Sequence, residues 1–241
     1  MRYSIQNPNK YIDTNIRGFQ NILDCSKKYK IKHLLYASSS SVYGINKQKI
    51  LDESFPTEHP ISIYAATKKS NELFAHVYSS LFNLPTTGIR FFTVYGPYGR
   101  PDMSLYTFSK LINSKKPITL FNNGKMGRSF TYIDDVVKIL IGLIKKIPKK
   151  KKIKILKSNI STAPYKIVNI GNPKKHSLKE YVRFIEKNLK KKAILKMAKM
   201  QLGDVKETTA STKNLFKITN KHNFINLEVG IKKYINWFKK Y

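Results

Sequence analysis

Tyr64 and Lys68 stand four residues apart in the segment Tyr64-Ala65-Ala66-Thr67-Lys68. On a helix that spacing puts both side chains on one face, about one turn apart. An ammonium held beside a phenol favours the phenolate and draws a tyrosine pKa toward working pH. Such a tyrosine can take a proton from a hydroxyl while a hydride leaves the same carbon. Spacing alone also allows an ordinary surface pair. The second feature is the run Ala37-Ser38-Ser39-Ser40-Ser41-Val42-Tyr43-Gly44. Small hydroxyls at the carboxyl end of a strand in an open α/β sheet line the ligand crevice. The same run elsewhere is a flexible serine turn. Here it lies 25 residues before Tyr64, one strand–loop–helix unit away, which favours the functional alternative.

The elements that must position these groups follow from periodicity. Ile12, Ile16, Phe19, Ile22 and Leu23 fall at helical spacing within residues 9–29. His33 to Ala37 reads as a buried strand, residues 47–60 as a polar loop, and 63–82 as a second helix. Thr86 to Val94 reads as another buried strand, ending at Tyr95-Gly96-Pro97. Strand, helix, strand with short turns predicts a parallel sheet with crossover helices. Beyond Gly96 the spacing predicts a helix over 104–115, a strand over 118–121 and a helix from Asp134 to about Lys146, with Asp134 or Asp135 as its cap. The lysine-rich stretch 147–164 reads as a mobile loop and Tyr165 to Ile170 as a strand. Ser177 and Glu180 form a capping box for a helix over 177–192. Two helices follow, near 212–218 and 227–240. The last is expected to pack Val229, Ile231, Ile235, Trp237 and Phe238.

Composition narrows the class. The chain has 241 residues, enough for one large domain or a domain with an appendage. No run of 18 apolar residues is present, so no membrane span is expected. Cys25 is the sole cysteine, which forbids an intramolecular disulfide and fits a cytoplasmic location. Lys and Arg total 46 against 14 acids, for a net charge of +32. Only six of the 46 are arginines, whereas nucleic-acid interfaces lean on arginine for two-pronged contacts. Lysine spread over helix faces therefore reads as compositional drift before it reads as a nucleic-acid surface. No metal site is assigned.

Further stretches carry a resemblance. They include Pro60-Ile61-Ser62-Ile63-Tyr64-Ala65-Ala66-Thr67-Lys68, Arg90-Phe91-Phe92-Thr93-Val94-Tyr95-Gly96-Pro97, Gly99-Arg100-Pro101-Asp102 and Phe130-Thr131-Tyr132-Ile133-Asp134-Asp135. With the serine run, they resemble the extended short-chain dehydrogenase/reductases of the sugar-nucleotide epimerase and dehydratase group. The resemblance runs from residue 2 to the carboxyl terminus. It implies an α/β fold: a Rossmann-type parallel sheet, truncated at its start, over residues 1–95, and a smaller α+β substrate-binding part over 96–241. Residues 131–146 and 165–171 would return to the sheet. It implies NAD as cofactor and a UDP-sugar as substrate. Tyr64 would be the catalytic base, Lys68 would bind the nicotinamide ribose, and Ser39 would complete the triad. Ala37, Ser38, Tyr64, Lys68 and Val94 would line the cofactor.

The substrate side can be argued from the same resemblance. Dehydratases of the group carry Asp-Glu after the triad hydroxyl, where this chain has Ser40 and Ser41. Without carboxylates there, elimination lacks its acid and base, and C4 epimerisation of UDP-glucuronate to UDP-galacturonate through a 4-keto sugar is expected. Ser40, Ser41, Thr93 and Arg100 would hold the uronate, Arg128 the diphosphate and Asp204 the uridine ribose. Two departures stand out: Leu202 where the group has proline, and Gly127-Arg128-Ser129 where it has Arg-Arg-Asp. A homodimer through helices near 9–29 and 63–82 is implied.

No Gly-x-x-Gly-x-x-Gly precedes residue 44, although the group cradles its pyrophosphate with such a turn. Roughly 80–90 residues of the sheet's first half would precede Met1 in the group, so a truncated or split form with a complementing N-terminal half is expected. Two other readings stay open: an epimerase for another UDP-sugar, and a non-catalytic basic fragment that binds polyanions.

Overall fold

A computed structural model of the chain describes residues 3–46, 48–153, 155–201, 207–220 and 222–241. Its helical start is not one regular helix. It runs as α1 (Tyr3–Gln6), α2 (Pro8–Tyr11), a π-helical turn over Ile12–Arg17, and α3 (Gly18–Lys28). The wide turn shifts the face that α3 presents. Leu23 is therefore fully buried, while Ile12 and Ile22, expected on the same inner face, are exposed. Strand β1 (Leu34–Ser39) extends through Ser39, two residues past the expected end. Helix α4 (Ile63–Phe82) matches its expected span. The Ser62 hydroxyl accepts the Ala65 N–H at 3.2 Å to open it, and left-handed Asn83 closes it.

The strand expected over 86–94 is two: β2 (Thr86–Phe91) and β3 (Thr93–Tyr95). They break at Phe92 because β3 pairs in another sheet. Then come α5 (Ser104–Asn113), β4 (Ile118–Phe121), β5 (Gly127–Arg128), β6 (Phe130–Tyr132) and α6 (Ile133–Ile144). Asp134 and Asp135 lie inside the first turn of α6, not at its cap. Asp135 instead accepts the Ile225 N–H and faces His222 Nε2, both at 2.9 Å. The remaining elements are β7 (Tyr165–Ile170), β8 (His176–Ser177), α7 (Leu178–Leu189), β9 (Leu195–Ala198), β10 (Glu207–Thr208), α8 (Lys213–Thr219) and α9 (Leu227–Phe238). Ser177 caps α7 by accepting the Glu180 N–H at 3.1 Å. The described residues of 147–164 are tied down: the Lys151 N–H donates to the Thr162 carbonyl and the Ile167 N–H to the Asn159 carbonyl.

The chain divides into two units. The first is Met1–Phe91, Ile139–Ile170 and Ala210–Lys221. Its sheet is β1-β2-β7, all parallel, with Leu34 opposite Thr86 and Thr86 opposite Tyr165. Helix α4 is the crossover between β1 and β2. It packs on the sheet through Ala75, with Phe74 and Tyr78 beside a core of Leu23, Tyr36, Leu84, Tyr165 and Ile167. Gly88 is required in the central strand, because a Cβ there would lie 2.5 Å from the Tyr36 and Ile167 side chains.

The second unit is Phe92–Lys138, Gly171–Thr209 and His222–Tyr241. It holds three small sheets, β10-β5-β8, β3-β6 and β4-β9. Its core joins α5, α7 and α9, with Phe130 stacked on Tyr181 at 4.3 Å. Ile231 and Ile235 of α9 are in that core and Trp237 packs against it, but Val229, expected inside, is 49% exposed. No helix among the described residues is long and apolar enough to cross a membrane.

Candidate active site

In the first unit, the carboxyl end of β1 turns sharply. Ser39 is extended, and its hydroxyl accepts the Ser41 N–H at 3.2 Å, opening a 3-10 turn over Ser40–Tyr43. Gly44 ends that turn with φ +52°, and a Cβ there would lie 1.8 Å from the His59 carbonyl oxygen. The serine run is thus a fixed turn whose shape needs glycine at its end.

Tyr64 and Lys68 sit in the first turns of α4, both half-buried. Lys68 Nζ donates to the Ala37 carbonyl at 3.1 Å, which ties the helix face to the end of β1. Burial lowers the pKa of this lysine from its ordinary 10.5. The N-terminal helices support the same turn of α4. The Tyr64 N–H donates to Ser4 Oγ (3.2 Å), and the rings of Tyr11 and Tyr64 meet edge to face at 6.0 Å. Asn15, in the π-helical turn, donates its amide N–H to Thr67 Oγ1 at 3.0 Å.

Ser38 stands one residue before the end of β1. Its hydroxyl is buried and donates to Glu72 Oε1 at 2.6 Å. Glu72, one turn beyond Lys68, also takes both prongs of Arg90, at 2.8 Å (Nε) and 2.9 Å (Nη2). Burial alone lowers an arginine pKa, but the paired carboxylate outweighs it and holds Arg90 firmly charged. The Arg90 guanidinium lies over the Tyr43 ring at 4.8 Å, and the Tyr43 hydroxyl donates to Asn169 Oδ1 at 2.7 Å. This cluster does not follow from residue spacing. Its signal was present: an arginine in an otherwise uncharged buried strand must have a buried partner.

The other expected residues belong to the second unit. Thr93 and Val94 open β3, opposite Phe130 and Thr131 of β6. Arg100 lies between β3 and α5. It is 64% exposed and paired two-pronged with Asp102, two residues on, at 3.0 and 2.9 Å. Arg128 lies in β5 between Thr208 and His176 of the neighbouring strands. Asp204 and Leu202 lie outside the described residues.

A tyrosine and a lysine one helical turn apart, beside a hydroxyl-rich turn at the end of a parallel strand, can move a proton at a sugar carbinol. Comparison with known families decides the class. The model of the NAD dependent epimerase/dehydratase family matches residues 1–171. The chain belongs to that family. Protein CapI of Staphylococcus aureus is 48% identical over all of this chain and 73% of its own length. The probable UDP-glucuronate 4-epimerase of Rhizobium meliloti (strain 1021) is 39% identical, over 99% of this chain and 71% of its own. The UDP-glucuronic acid 4-epimerase of Bacillus cereus, solved with UDP-glucuronic acid and NAD, superposes with a TM-score of 0.83 at 30% identity. That match covers 95% of this chain and 68% of the other.

NAD is the cofactor of the family. The donor set here suits one end of it. A half-buried ammonium beside a phenol, at the carboxyl end of a parallel strand, fits a nicotinamide ribose. The glycine-rich turn that would cradle the pyrophosphate is not among the 241 residues.

Proposed function

We propose that the chain carries the acid–base and sugar-nucleotide-binding groups of a UDP-glucuronate 4-epimerase, which interconverts UDP-glucuronate and UDP-galacturonate. One observation carries this reading. Lys68 is seated on the Ala37 carbonyl with Tyr64 one turn before it, and the three residues that follow β1's Ser38 are all neutral hydroxyls. Lys68 would hold NAD through its nicotinamide ribose, and the bound cofactor would supply reversible hydride chemistry at sugar C4. Tyr64 takes the proton of the C4 hydroxyl and gives it back. Ser39 donates to the same oxygen. Ser40 and Ser41 matter for what they cannot do: a 4-keto uronate is a β-keto acid, and neutral donors offer no carboxyl group to assist elimination. By resemblance alone, Thr93 and Arg100 are assigned to the sugar, Arg128 to the diphosphate and Asp204 to the uridine ribose.

Two partners belong to this reading. The first is a second copy of the chain. Leu73, Val77 and Leu81 form an exposed stripe along α4, and Ile22 of the adjacent α3 is exposed as well. Four large apolar side chains left in water on one helix pair fit a self-complementary dimer surface. The second is whatever segment supplies the glycine-rich turn. It would pair in parallel with the outer edge of β1, which among the described residues has β2 as its sole neighbour in the sheet.

The test is turnover of UDP-glucuronate with NAD, alongside calorimetric binding of both. Tyr64→Phe should lower kcat by about 10³-fold. UDP-glucuronate binding should stay within about two-fold of wild type. Undiminished turnover in Tyr64→Phe, or binding of a neutral UDP-hexose in preference to UDP-glucuronate, would sink the reading.

A further inference from the structure

Glu72 does more than fill a buried position. Its carboxylate is 1% exposed and joins three elements. Oε1 accepts from Ser38 Oγ of β1 and from Arg90 Nε of β2, and Oε2 accepts from Arg90 Nη2. Glu72 itself belongs to α4, on the face that also carries Lys68 and Tyr64, at steps of four residues. Arg90 is anchored in turn, because its Nη1 donates to the Glu53 carbonyl at 3.3 Å. Lys69 Nζ stands 3.9 Å from Oε2.

Stability alone does not account for this arrangement. A buried ion pair loses about as much in desolvation as it gains in attraction, and apolar residues of the same volume often serve as well. What a two-pronged arginine and a serine hydroxyl supply together is a single allowed geometry. If α4 slid along the sheet by one turn, every bond to Glu72 would break. Ser38 precedes Ser39, and Glu72 follows Lys68 by one turn. We propose that Glu72 and Ser38 are positioning residues that lock α4 to the end of β1 and so set Ser39 against the Tyr64–Lys68 pair. This inference rests on the epimerase reading for the roles of Ser39, Tyr64 and Lys68.

The test uses Ser38→Ala, which removes one hydrogen bond and leaves the ion pair, with Ser38→Thr as the conservative control. Misplacement of a reacting group by a fraction of an ångström should lower kcat about ten-fold. KM for UDP-glucuronate should stay within about two-fold. The thermal midpoint should move by less than about 3 °C. A second readout needs no turnover. In protein labelled with 3-fluorotyrosine, the Tyr64 fluorine resonance, assigned through Tyr64→Phe, should shift or broaden in Ser38→Ala and recover in Ser38→Thr. Arg90→Lys keeps the charge and loses the two-pronged geometry, so it should move the resonance the same way, which covers a failure of Ser38→Ala to fold. Wild-type kcat in Ser38→Ala overturns the proposal. An unmoved Tyr64 resonance in the variants overturns it too, and does so even if the wild-type chain turns over no UDP-glucuronate and the epimerase reading fails.

Discussion

Glu53 shows how an acid with no part in the proton chemistry can still govern behaviour. It is fully buried, its Oε1 accepts the Asn169 N–H and its Oε2 accepts from the Asn214 amide, each at 2.8 Å. Burial raises its pKa from the ordinary 4.5, with those two donors opposing. Between 4.5 and the raised folded value, the folded chain holds a proton that the unfolded chain has released. The stability this group contributes is complete below the unfolded pKa and is lost as pH rises through the folded one. Glu53→Gln should therefore flatten the fall of the thermal midpoint above pH 4.5. Circular dichroism melts across that range check it, and a fall as steep as wild type's would refute the assignment. At this scale the sequence was legible where spacing implied a shared face, as for Tyr64 and Lys68. It was not legible where partners come from distant segments: Glu53, Asn169 and Asn214 meet across about 160 positions of chain.

Among elements, α4 and the turn after β1 matter most. The span of α4 was legible from its apolar spacing, and Ser62 and Asn83 fix its two ends with local chemistry. Strand β7 was legible for a similar reason, as a buried run bounded by turns. The π-helical turn over Ile12–Arg17 was not, because what holds it is tertiary: Asn15 reaches Thr67 on another helix. That misreading also hid that Ile12 and Ile22 face outward. The stripe Leu73, Val77, Leu81 yields a prediction for α4. Leu81 is 70% exposed, so Leu81→Glu should leave the monomer fold intact, halve the particle mass in sedimentation and shift the thermal midpoint little. A dimer that survives the substitution would place the interface elsewhere.

For the whole molecule, charge dominates. A net +32 on 241 residues gives a strongly positive field around a chain whose proposed substrate is a nucleotide bearing a carboxylate. The field should act on encounter more than on the bound state. Raising NaCl from about 50 to about 500 mM should lower the association rate of UDP-glucuronate several-fold and change dissociation much less. Stopped-flow fluorescence separates the two, and a salt-insensitive association rate would show that lysine-rich faces steer nothing. The alternation that predicted a parallel sheet was correct because β1 and β2 are joined by a crossover that carries α4. In the second unit β4 was legible over 118–121, but how the small sheets pair was not, since strands of two to four residues carry almost no period.

The order β1-β2-β7 has a consequence for how the molecule is made. Its first two strands end by Phe91, yet the third begins at Tyr165, and Asn214 of α8 closes on Glu53 later still. As the chain leaves the ribosome, the central strand β2 must wait for about 75 residues of the second unit's and loop sequence before its far edge is covered. During that interval Arg90 can already pair with Glu72, while Ile89 and Phe91 lack their β7 neighbours Val168 and Ile170. The buried ion pair is thus available to hold a half-built sheet in register. The period of greatest exposure to misassociation is set by topology, before any question of final stability arises.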